Sequence, residues 1–274
     1  YKVYEVPISY NGRDYEEGKK IKWWDFFRCM YWLLRAALRQ DDAGRDTLLK
    51  MRLMRNNNAW TFKKLVPWLG ERVLELGAGI GTFSVGLAEK AGKLTVSDID
   101  DRHLHALRQM FGGNPAVDVC RVDAAQVDKT LAAESFDNVV ALNMLEHVEN
   151  DESALFGIRK VLVPGGRLLL IVPAHPQLYG TLDKEIGHFR RYSREELTTK
   201  LMTAGFEIEK LEFMNFFSVA GWFFNFKVLK RRTMPITMMH IADMTIPAVE
   251  AIEGFVRFPF GLSLFCVARK GDTK

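Results

Sequence analysis

The sequence predicts an α/β fold: a doubly wound, mostly parallel, seven-stranded sheet with an N-terminal helical appendage and a helical insertion before the last strand. Three observations carry this expectation. An apolar run at residues 73–76, broken only by Glu75, ends in three closely spaced glycines, Gly77, Gly79 and Gly81, and a helical pattern through Phe83, Leu87 and Ala88 follows at once. Strand-like and helix-like segments then alternate, as in a parallel sheet covered on both faces. The ends of four successive strands carry Gly77, Asp98, Asp123 and Asn143, and ligands of such sheets bind outside the carboxyl ends of the strands.

A chain of 274 residues suits one large domain plus an appendage, and its 48% hydrophobic content supports a sizeable core. The formal net charge of +4 is mild and gives no support to nucleic-acid binding. Cys29, Cys120 and Cys266 are odd in number, widely spaced and set among apolar neighbours, which fits buried thiols in a reducing, cytoplasmic compartment. A zinc site needs clustered ligands, so no metal ligand is expected. The chain starts at Tyr1 within strand-like sequence, without a methionine or signal peptide, and reads as a piece of a longer protein.

Residues 1–10 alternate as a short strand and turn at Asn11-Gly12. From 21 to 40 the pattern is helical. Trp23, Phe26, Phe27, Met30, Leu33 and Leu34 share one face, with Arg28, Arg35 and Arg39 on a flank beside Trp24 and Tyr31. Aromatic rings beside arginines suit a membrane interface; docking on a neighbouring domain is the alternative. Residues 41–46 are the linker candidate, and 47–55 and 59–69 are helical, the second stopped near Pro67. Later strands are expected at 94–97, 117–122, 136–142, 167–172, 206–213 and 262–268.

The glycines are spaced G-x-G-x-G, tighter than the usual dinucleotide loop. A carboxylate at Glu75 repels a pyrophosphate but suits a ligand bearing an ammonium group or hydroxyls. The ligand expected is therefore a nucleoside type without phosphates, S-adenosylmethionine first. Asp98, ~20 residues past the glycines, stands where such folds place an acid for ribose hydroxyls.

Two resemblances add to this reading. Residues 4–13 (Tyr-Glu-Val-Pro-Ile-Ser-Tyr-Asn-Gly-Arg) and 15–21 resemble the C-terminal end of a family 2 glycosyltransferase of the dolichol- or polyprenol-phosphate sugar synthase type. That implies a parent protein with a glycosyltransferase domain before this region; 1–40 is then its remnant, 41–55 a linker and helix, and 56–274 the following domain. Over about residues 56–270 the chain resembles class I S-adenosylmethionine-dependent methyltransferases, with Val73-Leu74-Glu75-Leu76-Gly77-Ala78-Gly79-Ile80-Gly81 matching the first motif of that family. The resemblance implies that Glu75 and the backbone of Gly77, Ala78, Gly79 and Gly81 face the methionine portion of the cofactor. It places Asp98 on the ribose and Ile99 on the adenine. Asp123 and Ala124 meet the adenine amino edge, and Asn143 and Met144 border the methyl-transfer site. Residues 142–148, 162–170 and 188–193 look most like bacterial small-molecule members, which include quinone- and sugar-modifying enzymes.

A base is needed only where the nucleophile must lose a proton, as a hydroxyl does. His147, expected to open a helix past the fourth strand, and His175, in Pro-Ala-His-Pro after the fifth, are the candidates; a loop-bracing histidine is the alternative for each. His188, Arg190, Arg191 and Tyr192 form a basic, aromatic cluster suited to a phosphate or carboxylate on the acceptor, or else pair with Asp183 or Glu185. Ser193 with Glu196 reads as a helix cap, and His103 and His105 as surface residues.

The insertion at 215–261 is dense in rings (Phe216, Phe217, Trp222, Phe223, Phe224, Phe226), followed by Lys227, Lys230, Arg231 and Arg232. Its apolar run, from Phe213 to Phe226, is too short and too often broken to span a bilayer. It reads as a helical layer on the sheet, or as a lid whose basic end lies near lipid headgroups. Met234, Met238, Met239 and Met244 offer an adaptable surface for an apolar acceptor.

The expected activity is methyl transfer from S-adenosylmethionine to a small molecule, at a hydroxyl of a sugar or lipid-linked sugar, at the inner face of a membrane. Carbon methylation of a quinone-like ring and a non-catalytic cofactor-binding module are the alternatives.

Overall fold

Val73, Leu74, Glu75 and Leu76 are all buried, so strand β1 (Arg72–Leu76) is covered on both faces, as its near-continuous apolar run requires. In the computed structural model, which describes residues 43–271, β1 lies between two parallel neighbours, β2 (Lys93–Asp98) and β4 (Phe136–Leu142). Val73 faces Leu94 on one side and Asn138 on the other. β3 (Val117–Arg121) continues the parallel sheet beyond β2, and β5 (Leu162–Pro173) beyond β4. β7 (Ser263–Lys270) then runs antiparallel between β5 and β6 (Phe206–Met214), giving the order β3-β2-β1-β4-β5-β7-β6. The strand order reverses between β1 and β4, the position at which such sheets open a ligand crevice.

Successive residues of each central strand point into different cores. Leu74, Ala141, Leu170 and Cys266 pack with Leu155 and Ile158 of helix α6 (Asp151–Val161) and with Leu197 and Leu201 of α8 (Arg194–Thr203). Val73, Val140, Leu169 and Phe265 pack with Trp60 and Leu65 of α2 (Arg55–Leu65), Leu107 of α4 (Asp101–Phe111), and Ile246 and Val249 of α10 (Ile236–Phe255). The remaining helices among the described residues are α1 (Ala43–Arg52), α3 (Ser84–Lys90), α5 (Val127–Thr130), α7 (Thr181–Glu185) and α9 (Ser218–Trp222), the last running into a π-helical turn, Phe223–Val228. Polar side chains start α4, α6 and α8: Asp100 accepts from the Arg102 amide, Asn150 from Ser153, and Ser193 from Glu196, as the capping pattern of Ser193 predicts.

Several boundaries differ from the sequence expectation. β5 starts at Leu162, because Phe136 pairs with Leu162 before the Gly165 turn and the register then shifts. Helix α1 begins at Ala43, inside the expected linker at 41–46, and the expected boundary at 56 falls within α2. The described residues belong to one compact unit, Asp42–Lys274. Asp243 on α10 is buried and accepts the backbone amides of Asn56 (3.2 Å) and Asn57 (2.9 Å), tying the start of α2 to the insertion. Cys120 is partly buried and Cys266 fully buried, both as free thiols. The strand and amphipathic helix expected within residues 1–40, and Cys29, lie outside the described residues.

Candidate active site

A cavity of about 300 Å³ opens at the carboxyl edge of β1 and β4. Its floor is Glu75, Leu76, Gly77, Ala78 and Asn143; α1 covers it with Thr47, Leu48 and Met51, and the insertion closes the far side with Trp222, Met234, Met238 and Met239. The glycine loop can lie this close because its backbone turns left-handed, with φ of 74° at Gly77 and 57° at Gly79. A Cβ on residue 77 would stand 2.4 Å from Cγ of Met144. Met144, expected to border the methyl-transfer site, is thus buried beneath the loop and supports it. Asn143 also adopts positive φ, 49°, and its amide is held by the Ile171 carbonyl at 2.8 Å.

Glu75 is buried and accepts a hydrogen bond from Ser84 Oγ at 2.5 Å. Burial pushes its carboxyl up to about 8, against the pull of the Ser84 hydroxyl and with a further push from Asp98. Asp98 lies at the end of β2 and accepts from the Gly79 amide at 2.7 Å and the Asp100 amide at 2.9 Å, pinning the glycine loop to its neighbouring strand. Burial disfavours its charge, yet the His103 ring and these two amides hold it below the ordinary range. His103, expected on the surface, is instead half-buried with Nδ1 at 3.3 Å from Asp98. Ile99 is 54% exposed beside it, an open apolar face. Asp123 accepts from the Ala125 amide at 2.9 Å, and Ala124 opens the short 3-10 turn that follows. Gly81, with φ of 77°, lets the loop pack against Leu107 and Met110 of α4. Of the expected cofactor residues, Glu75, Gly77, Ala78 and Asn143 line this cavity, while Asp98, Ile99, Asp123 and Ala124 stand along the neighbouring strand ends.

His147 closes a single 3-10 turn, Leu145–His147, where a longer helix was expected; the turn ends when Val148 returns to extended backbone. His147 lines the cavity as a solvent-exposed residue, and the protein packed about its ring still lowers its pKa to about 4. The neighbouring His188 adds to the drop; a hydrogen bond with the backbone of Gly187 opposes it. The two rings meet edge to face at 4.6 Å. Behind them lies Glu146, which the sequence reading did not select. It is fully buried, both carboxyl oxygens lack a hydrogen-bond partner, and burial raises it to about 8. Its only sequence signal was an acid preceding His147 at the edge of β4. His188 bridges the two acids, Nδ1 3.0 Å from Asp183 and Nε2 3.7 Å from Glu146. One donor atom each from Glu146, His147 and His188 lies within 4.8 Å of the others, a set the sequence reading, naming no metal ligand, did not anticipate.

The segment 188–192 is a brace, following the alternative in which an arginine pairs with Asp183 and not the substrate grip. Arg191 is buried, donates from Nε to Asp183 at 2.9 Å and from Nη1 to the Ala174 carbonyl, and lies 4.4 Å from the centre of the Trp222 ring. It borders the cavity, but Asp183 neutralises its charge. Arg190 turns away to Asp151 (3.0 Å) and the Glu149 carbonyl. Tyr192 is wholly buried with its hydroxyl donated to Asp151 at 2.9 Å. Asp151 also takes Lys200, so one buried carboxylate holds three partners. Of the four residues, only His188 and Arg191 reach the cavity. His175, the other expected base, is absent from its lining. Its backbone turns at φ 63°, its ring stacks on Phe213 at 5.1 Å, and Nε2 accepts from the Gly261 amide at 3.4 Å, the bracing alternative. The insertion divides its rings: Trp222 and Phe226 are buried with Leu178 and Leu182, while Phe217, Phe223 and Phe224 are exposed. Met244 points to solvent at 78% exposure and takes no part in the cavity.

Comparison with known proteins matches residues 74–168 to a family described as a methyltransferase domain. A demethylmenaquinone methyltransferase from Clavibacter sepedonicus is 31% identical over 118 residues, covering 42% of this chain and 47% of the relative. A ubiquinone biosynthesis O-methyltransferase from Dechloromonas aromatica is 30% identical over 102 residues, covering 37% and 44%. The chain therefore spans just under half the length of each. Among solved structures, an S-adenosylmethionine-dependent methyltransferase from Thermotoga maritima superposes with a TM-score of 0.56 at 21% identity, covering 79% of this chain and 90% of that one. One from Mesorhizobium loti gives 0.53 at 19%, covering 76% and 95%. These likenesses establish the fold.

Proposed function

Starting from a methyltransferase domain over residues 74–168 in a class I, S-adenosylmethionine-dependent fold, we propose that this chain methylates a small molecule with an apolar body. The residues suit that cofactor: a buried carboxyl at Glu75 for a cationic group, a glycine loop closed against any side chain at 77, and acids at the ends of β2 and β3. When bound, the cofactor supplies an already activated methyl group, so the protein chiefly positions the acceptor and excludes water.

The observation that carries the acceptor class is the cavity wall. Met51, Met214, Met234, Met238 and Met239 converge with Trp222 opposite the glycine loop, a flexible apolar lining. A hydroxylated, quinone-like ring suits this lining, and two relatives are named for demethylmenaquinone and ubiquinone biosynthesis. His147 then serves as the base: neutral across the physiological range, it accepts the proton of the attacking hydroxyl through the ring nitrogen that Gly187 does not occupy. A second reading, methylation of a sugar on a polyprenyl carrier, is supported by the resemblance of residues 1–40 to a glycosyltransferase terminus, and its lipid chain suits the same wall.

Calorimetry with S-adenosylmethionine, followed by transfer of labelled methyl to prenylated phenols and to polyprenyl-linked sugars, tests both. Cofactor binding with labelling of the phenols is expected; labelling of the sugars alone selects the second reading, and absence of binding overturns the cofactor assignment. His147→Ala should keep cofactor affinity and lower turnover by about 10²–10⁴-fold. Unchanged turnover removes it as the base.

A further inference from the structure

The outer side of the insertion is as apolar as its inner side. Along residues 217–228, Trp222 and Phe226 are buried, whereas Phe217, Phe224 and Val228, spaced seven and four apart, are 54%, 55% and 52% exposed. Phe223 and Leu229 are exposed beside them. A second stretch joins this face, since the Phe216 ring stacks on Phe258 at 3.9 Å and meets Phe260 edge-on at 6.5 Å. Phe255, Val256 and Phe260 of that stretch are exposed, Phe255 almost completely.

The exposed charge among these rings is cationic, and the acid beside them, Glu253, is half-buried and accepts the Phe216 amide. No Asp or Glu occurs between Glu212 and Asp243, while Lys227, Lys230, Arg231 and Arg232 fall in that interval and Arg257 lies in the second stretch, all five exposed. Among the described residues no carboxylate pairs with Lys230, Arg231, Arg232 or Arg257, whereas Arg190, Arg191 and Lys200 are each bound to one. No helix among the described residues is long and apolar enough to cross a membrane. Rings interleaved with cations match the boundary between headgroups and acyl chains.

We propose that the exposed rings and cations of residues 217–232 and 255–260 dock this domain on the surface of an anionic lipid bilayer. The inner face of the same insertion, through Trp222, Met234 and Met238, is a wall of the cavity, so docking sets the acceptor site beside the lipid. The docking surface does not depend on which acceptor the cavity takes.

Co-sedimentation of the full chain with vesicles of phosphatidylcholine, alone or mixed with phosphatidylglycerol, is the test. The expected result is binding to the mixed vesicles, weakened by added salt and much lower on phosphatidylcholine alone. Phe217→Ser with Phe224→Ser, and separately Lys230→Glu with Arg231→Glu, should each reduce binding at least about tenfold while leaving thermal unfolding and cofactor calorimetry unchanged. Failure to bind mixed vesicles overturns the proposal. So does binding that both variants retain, which would assign it to another surface. A concentration-dependent dimer in sedimentation velocity, abolished by the phenylalanine variant, would instead give the face to a second copy of the chain.

Discussion

Glu75 enters the folded state without its charge. Its carboxyl ordinarily titrates near 4.5 and here near 8, so between those values the folded chain holds a proton the unfolded chain has lost. Stability therefore falls as pH rises through that window, and Glu146, raised for the same reason, adds to the slope. The change in denaturant midpoint from about pH 5 to about pH 8 should be more negative in the native sequence than in Glu75→Gln with Glu146→Gln, His147 contributing an opposite slope to both. A cationic ligand over Glu75 reverses the preference and expels the proton. Cofactor calorimetry near neutrality should accordingly show proton release, read from two buffers of different ionisation heat, and Glu75→Gln should lose it. Gly77→Ala addresses the neighbouring constraint: positive φ and a contact at 2.4 Å with Met144 should cost roughly 1–3 kcal/mol and lower cofactor affinity. Both residues were legible from sequence because the constraint is local. Glu146 was not, since its significance lies in two buried oxygens without a hydrogen bond, which only the closed fold creates.

At the scale of elements, the His188–Tyr192 segment shows how pattern and position part ways. Two arginines beside a histidine and a tyrosine allow an anion grip or pairing with Asp183; Arg191 takes Asp183, and the partner the sequence does not show is Asp151, forty-one residues from Tyr192. Desolvation drives this, because a buried guanidinium needs a counter-charge. Asp183→Asn should therefore cost about 3–5 kcal/mol in urea unfolding, and adding Arg191→Met should recover part of the loss. Ser193 was readable because a cap is satisfied three residues away. The insertion resists sequence reading for another reason. With five rings among residues 217–226, composition cannot say which face inward, and the π-helical turn at Phe223–Val228 shifts the helical phase just where the choice is made.

At the scale of the whole molecule, the strands and their polar ends follow from the sequence, as periodicity and turn residues mark each one. The domain edge does not. A boundary at residue 56 looked natural, but Thr47, Leu48 and Met51 roof the cavity, and Asp243 grips the amides at 56 and 57. A chain beginning at 43 should fold and bind cofactor as the full chain does. One beginning at 56 should bind at least about tenfold more weakly, about 1.4 kcal/mol by calorimetry, having lost the roof over the glycine loop. Equal affinity would show that α1 is dispensable. This architecture also bears on synthesis. The roof, at residues 47–51, is made before the opposite wall, which ends at Leu262 and Ser263. A nascent chain emerging from the ribosome displays α1 and the glycine loop long before anything can seat upon them. Occupancy of the pocket thus requires that translation has passed Ser263.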